Sequence, residues 1–267
     1  MARILFYGDV YAKPGRDVVY ASLPVLQKRY SPDFVIANIE NCAHGKGPLP
    51  ELAQQFLDSG VDVVTTGNHV WDNKLLIPLL SSSTRIIRPA NYPDHMQFKN
   101  PGRGSTVVQS TKNKSIQLGV IQVQGRVYMN ALECPFRTAE REIQKLDAVG
   151  VQMILIDFHA EASSEKQAFF HYMNGKVSAV LGTHSHVQTA DETILSLGTA
   201  VITDVGMCGC LDSVIGAKKE LSIERFISQR PVRLEPADGP GTACAVIVDV
   251  DERTGKAQHI ERIREKL

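Results

Sequence analysis

Short apolar runs alternate with stretches of helical period over the first third of the chain. Ile4 to Tyr7 reads as a buried strand. Beyond Pro14 and Gly15, the apolar residues Val18, Val19, Leu23, Val25 and Leu26 approximate one face of a helix that Pro14 can open at little cost. Pro24 predicts a kink or an early end to that helix. Phe34 to Ile39 is a second strand, Glu51 to Asp58 a helix, Val61 to Thr65 a third strand and Asn73 to Leu80 a short helix. This alternation is the pattern of β-α units around a largely parallel sheet, with right-handed crossovers.

From Ser81 to Asn130 the chain turns to Pro, Gly and β-formers, and Thr106 to Gln109 and Ile116 to Val123 read as antiparallel or mixed strands. Alternation then resumes. Helices are predicted over Glu140 to Val149 and Glu165 to Asn174, and strands over Met153 to Ile156, Val177 to Leu181, Ala200 to Ile202, Ala243 to Val250 and Gln258 to Ile263. No repeat, low-complexity tract or linker interrupts the pattern, so a single domain over residues 1–267 is expected. Gly209 to Gly241 is a long excursion, read as a surface loop, a lid or a contact between copies in a homo-oligomer.

Composition narrows the field. The chain has 267 residues, 43% of them hydrophobic, enough for a substantial core. Lys plus Arg and Asp plus Glu each number 29. A formal net charge of zero offers no basic field for long nucleic acid, so a small substrate is expected. The odd count of 5 cysteines lacks the spacing of a disulfide framework. The opening apolar run is interrupted by Asp9, and no segment approaches the roughly 20 apolar residues of a membrane span, so a cytoplasmic location is expected.

The chemistry lies at the strand ends. ILFYGD closes on Asp9, FVIANIEN on Glu40 and Asn41, VVTTGNH on Asn68 and His69, ILIDFH on His159, and VLGTHSH on His184 and His186. Each cluster alone has a plain alternative: a turn at Gly-Asp, a helix cap at Asn-His, a structural histidine at His159. In open α/β sheets, however, ligands bind beyond the carboxyl ends of the strands, where all five loops would converge on one site. Asp9 and Glu40 would leave about two positive charges on a pair of divalent ions, matching a hydroxide plus a phosphodiester anion. Glu40 has the two oxygens needed to bridge ions about 3.5 to 4 Å apart. Nitrogen and oxygen donors without thiolate suit iron or manganese, and also cobalt or zinc.

At these residues the chain resembles the calcineurin-like metallophosphoesterase superfamily: GD at Asp9, IEN at Glu40, GNHVWD at Asn68 and His69, DFHAE at His159, and GTHSHVQT at His184 and His186. It is most similar to the YmdB-like bacterial branch through NIEN followed by HGKG, VQGRVYM, THSHVQTAD and ITDVGM. The resemblance implies a four-layer αββα sandwich of two mixed sheets flanked by helices. It also implies cyclic nucleotides, 2′,3′-cyclic ones included and 3′,5′-cyclic ones as a further class, as substrates. One metal site would be Asp9, Glu40, Asn41 and His186, the other Glu40, Asn68, His159 and His184, with His69 as proton donor. Tyr11 stands where the wider superfamily has a histidine ligand, and a phenol with a pKa near 10 does not replace it.

The expected mechanism is attack of a metal-bridging hydroxide on phosphorus, with His69, whose ordinary pKa is about 6.5, protonating the departing ribose oxygen. His44 and Lys46, in a glycine-flanked loop beside Glu40, and Arg126 are candidates for the substrate phosphate, against ordinary turn and fold-holding roles. Trp71 reads as packing before base stacking, and Cys208 and Cys210 as buried or loop thiols before a metal site. Three rivals stand beside this reading: a phosphomonoesterase of the same fold, a non-catalytic metal- or nucleotide-binding regulator, and a barrel amidohydrolase, whose His-x-His normally follows the first strand.

Overall fold

The computed structural model describes residues 1–266. In chain order the elements begin with β1 (Ala2–Tyr7), β2 (Asp9–Val10), α1 (Ala12–Tyr30), β3 (Phe34–Asn38), α2 (Pro50–Asp58), β4 (Val63–Thr65), α3 (Leu76–Ser82) and β5 (Ile86–Ile87). The middle of the chain supplies β6 (Ser105–Gln109), β7 (Gln117–Gln124), α4 (Pro135–Asp147), β8 (Met153–His159), α5 (Ser163–Met173), β9 (Ala179–Thr183), β10 (Thr193–Ile194) and β11 (Ala200–Ile202). The remainder is β12 (Met207–Cys210), α6 (Lys219–Ser228), β13 (Gly241–Val250) and β14 (Ala257–Lys266).

These strands form two mixed sheets, one in the order β2-β12-β13-β1-β3-β4-β5 with β14 on β13, the other β10-β11-β9-β8-β7-β6. Their inner faces meet in an apolar seam that includes Ile4, Phe6, Ile36 and Val248 from the first sheet and Val120, Leu155, Leu181 and Ile202 from the second. The outer face of the first sheet packs under α1 and α2 through Leu5, Tyr7, Val19, Leu26 and Phe56. The second packs under α4 and α5 through Ile121, Ile156, Phe158, Ile143, Phe169 and Phe170. The layers run helix, sheet, sheet, helix. Strands buried on both faces read as continuous apolar runs, which is why β1, β3 and β8 were legible as strands without alternation.

The first-third strands β1, β3, β4 and β5 do run parallel, and the one reversed strand of their sheet is β13, antiparallel between β12 and β1. Several expectations are corrected. Helix α1 continues through Pro24 to Tyr30. Val18, Val19, Leu23 and Leu26 are buried against the sheet, and each such side chain contributes about 1.5–3 kcal/mol, which outweighs one missing backbone hydrogen bond. Strand β8 extends three residues past Ile156, so His159 closes the strand. The Gly209 to Gly241 excursion contains α6 and lies against the candidate site.

Candidate metal centre

The second sheet sets its half of the site by register. Gln124 of β7, His159 of β8 and Thr183 of β9 lie side by side, so these strands end at one level. The first sheet brings Asp9 just past β1, and Glu40, Asn41, Asn68 and His69 just past β3 and β4. All of them converge at the seam between the sheets.

The second-sheet histidines face Glu40 and Asn68. His159 Nε2 lies 3.1 Å from Asn68 Oδ1 and 3.1 Å from His184 Nδ1, and it contacts Glu40 Oε2. Donor atoms of Glu40, His159 and His184 all fall within 4.8 Å of one another, as a divalent ion would require. A second group adjoins it: His186 Nε2 is 3.2 Å from Asn41 Oδ1 and 4.0 Å from Asp9 Oδ1. Gly67 leaves room beside Glu40 and His159. A methyl group there would stand 2.2 Å from Glu40 Oε2 and 2.6 Å from His159 Nε2.

Hydrogen-bond logic fixes which ring nitrogens are free. Thr183 Oγ1 donates its proton to Asp157 Oδ1 at 2.7 Å, so at 2.9 Å it accepts from His159 Nδ1–H and leaves Nε2 facing Glu40 and Asn68. His186 Nδ1 donates to the carbonyl of Ile215 at 2.8 Å, again freeing Nε2. Asp157 is fully buried and also accepts from Asn38 and Thr65. It shares the face of β8 with His159 two residues on, a period-two signal present in the sequence.

Charge is concentrated here away from the surface, with Asp9, Glu40 and His159 all buried. Burial raises the Asp9 carboxyl to about 6, against the pull of His186 and His159. Burial opposes ionisation of Glu40 too, but His159 and His69 prevail and hold it near 2. For His159 burial again works against the charge, and Glu40 and Asp9 raise it to about 9. His184 is pushed down to about 3 by burial and by His159. Asp9 Oδ1 and Glu40 Oε2 are nonetheless buried without a regular hydrogen-bond partner, Glu40 Oε2 lying in close contact with His159 Nε2. Buried anionic oxygens left unpaired beside imidazole nitrogens fit a cation, because leaving them bare is costly.

His69 stands at the rim, its side chain 38% exposed, with its N–H on Glu40 Oε1 at 2.7 Å. His44 and Lys46 are exposed on a turn closed by the Ala43–Lys46 bridge. Arg126 is exposed; its backbone N–H is held by Glu165, and its guanidinium has no ion pair among the described residues. Trp71 packs edge-on against Tyr92 at 5.3 Å, in keeping with the packing reading. Cys208 and Cys210 are buried free thiols. Tyr11 wedges edge-on against His186 at 5.6 Å, pressed between Gly45 and Gly216. The roles of Asp72, Thr183 and Ile215 were not anticipated.

Residues 5–263 match the model of the YmdB-like protein family. The chain belongs to that family. Among YmdB-like relatives, a Bacillus subtilis protein described as a 2′,3′-cyclic-nucleotide 2′-phosphodiesterase is 45% identical over 261 residues, covering 98% of this chain and 96% of the relative. A hypothetical protein from Thermus thermophilus superposes with a TM-score of 0.90 at 39% identity over 99% of both chains. A novel phosphatase of Mycoplasma pneumoniae superposes with a TM-score of 0.91 at 34% identity, over 99% of this chain and 93% of its own. The four-layer fold is thus shared by close structural relatives, as the family resemblance implied.

Proposed function

We propose that the chain is a two-metal phosphodiesterase acting on 2′,3′-cyclic nucleotides. Asp9, Glu40, Asn41 and His186 hold one ion; Glu40, Asn68, His159 and His184 hold the other. The observation that carries this reading is the pair of buried, unsatisfied carboxylate oxygens on Asp9 and Glu40 facing imidazole nitrogens, in a chain so similar to a cyclic-nucleotide phosphodiesterase. The donor set of nitrogen and oxygen suits iron or manganese first. When bound, two divalent ions supply a nucleophilic water at neutral pH and offset charge on the phosphoryl oxygens.

The protein's own residues do the rest. Glu40 would be shared by the two ions, and Asn68 and Asn41 would complete the donor sets without adding charge. His69 protonates the departing ribose oxygen; Asp72 Oδ2, 2.8 Å from its Nδ1, engages that nitrogen and leaves Nε2 for the transfer. Arg126, His44 and Lys46 present positive charge or donors at the rim to the substrate phosphate. The whole chain acts as one domain, in the cytoplasm, where its 5 cysteines stay as thiols. No helix among the described residues is long and apolar enough to cross a membrane.

Hydrolysis of 2′,3′-cyclic AMP, 3′,5′-cyclic AMP and an aryl phosphomonoester by manganese-loaded protein, beside an Asp9→Ala control, tests the reading. Metal-dependent turnover of a cyclic diester that disappears in the control is expected. Activity confined to the monoester would make the chain a phosphatase, and none with any ester would make it a regulator.

A further inference from the structure

Lys166 of α5 and Asp204, just beyond β11, form an ion pair with Nζ and Oδ2 2.8 Å apart, their side chains only 1% and 0% exposed. Taking two charges out of water costs more than their attraction returns unless the geometry serves further bonds. It does. Asp204 Oδ2 also accepts the N–H of Ser185 at 3.0 Å, and Ser185 is the residue between His184 and His186. Oδ1 accepts the N–H of Gly206 at 2.8 Å, and the Gly206 carbonyl in turn accepts the N–H of Asp9 at 3.0 Å. That approach is so close that a methyl group on Gly8 would stand 2.0 Å from the Gly206 oxygen. Asp9 Oδ2 accepts the N–H of His184 at 3.0 Å and closes the circuit.

The turn so held is one that would not hold itself. His184 and His186 adopt φ of 100° and 66°, in a region costly for residues with a side chain and kept only when the surroundings over-determine it. Thr189 adds to the clamp: its N–H and hydroxyl reach the Asp204 carbonyl at 3.0 and 3.2 Å.

We propose that the buried Lys166–Asp204 pair is a positioning device for the metal centre. Asp204 locks the His184–Ser185–His186 backbone and, through Gly206, that of Asp9, so three donors on two segments keep one spacing. Lys166 offsets the charge, which lets both carboxylate oxygens act as acceptors toward the N–H groups of Ser185 and Gly206. An amide cannot replace it, since its NH2 would face a donor. The inference rests on the metal-ligand reading of Asp9, His184 and His186.

The test compares Lys166→Met/Asp204→Leu with the wild-type chain in two measurements: thermal melting of metal-free protein, and Mn2+ affinity by competition with a chelator. Removing both charges together avoids stranding either one but frees the N–H groups of Ser185 and Gly206, so the double variant is expected to fold and to melt modestly below the wild-type temperature. Its Mn2+ affinity is expected to fall about 10- to 100-fold. If the double variant does not fold, Asp204→Asn, which keeps the shape but loses one acceptor, should bind Mn2+ about tenfold more weakly. Lys166→Arg, which keeps the charge, should restore most of the affinity lost in Lys166→Met. A folded variant with wild-type affinity would overturn the positioning role alone. A wild-type chain that takes up no Mn2+ would overturn the metal reading and this inference with it.

Discussion

Asp72 Oδ2 stands 2.8 Å from His69 Nδ1, three residues away on the same turn, and so sets the angle at which the imidazole faces the site. His69→Ala removes the proposed proton donor but no proposed metal ligand. Turnover of a cyclic diester should fall about 100-fold or more while bound metal stays at the wild-type level. Asp72→Asn should give a smaller loss of the same kind. Metal analysis of His69→Ala checks the assignment, because a variant that loses its ions would make His69 a ligand instead.

Gly67→Ala tests the space that the donors share. The new methyl group would press on Glu40 Oε2 and His159 Nε2, both buried and unable to swing aside. Metal affinity should drop about 100-fold, with the far-ultraviolet circular dichroism unchanged. Full metal loading of this variant would show that the ions lie elsewhere.

Metal uptake should be linked to proton release. In the metal-free protein burial disfavours the His159 imidazolium, but Glu40 and Asp9 hold its pKa up at about 9. That pair stabilises the metal-free fold fully below the ordinary histidine pKa of about 6.5 and ceases to do so as the pH rises through 9. An ion on His159 Nε2 must expel the proton, so at pH 7.5 about one proton per chain should leave from this residue. Mn2+ affinity should climb with pH up to about 9 and then level off. Calorimetry in buffers of differing ionisation enthalpy measures the release; none at all would argue against His159 as a ligand.

Gly216→Val probes the excursion. Gly216 has φ 101°, and a side chain there would meet the Tyr11 ring at 2.5 Å. Displacing the turn withdraws the Ile215 carbonyl that fixes the His186 tautomer. Only the ion assigned to Asp9, Asn41 and His186 should be weakened, so metal content should fall from two ions per chain toward one. Equal loss of both ions would contradict the division of ligands between the two positions.

The sequence carried the site further than the sheet that holds it. Asp9, Glu40, Asn68, His159, His184 and His186 each follow an apolar run, so their side chains announce themselves against a hydrophobic background, and the fold does bring them together. Strands β2, β5, β10 and β12 were missed because two to four residues hold no periodicity; β12 exists because β13 and β2, remote in the chain, pair with it. Helix α6 was hidden within the excursion. Asp157 escaped notice inside a buried run, although its parity with His159 was readable. Ile215 acts through a carbonyl oxygen, which every residue possesses and no sequence pattern marks.

The position of β13 between β12 and β1 has a temporal side. It is synthesised after every other strand of its sheet except β14, yet it is the bridge by which β12 and the Gly206 turn come alongside β1. Until it emerges from the ribosome, β1 has an open edge and the Asp9 backbone lacks the partner that fixes it. The second sheet, made from one uninterrupted stretch of chain, can form earlier but carries only His159, His184 and His186 of the proposed donors. With its donors divided in this way between the two sheets, the proposed metal site is complete only once β13 and β14 have closed the sandwich.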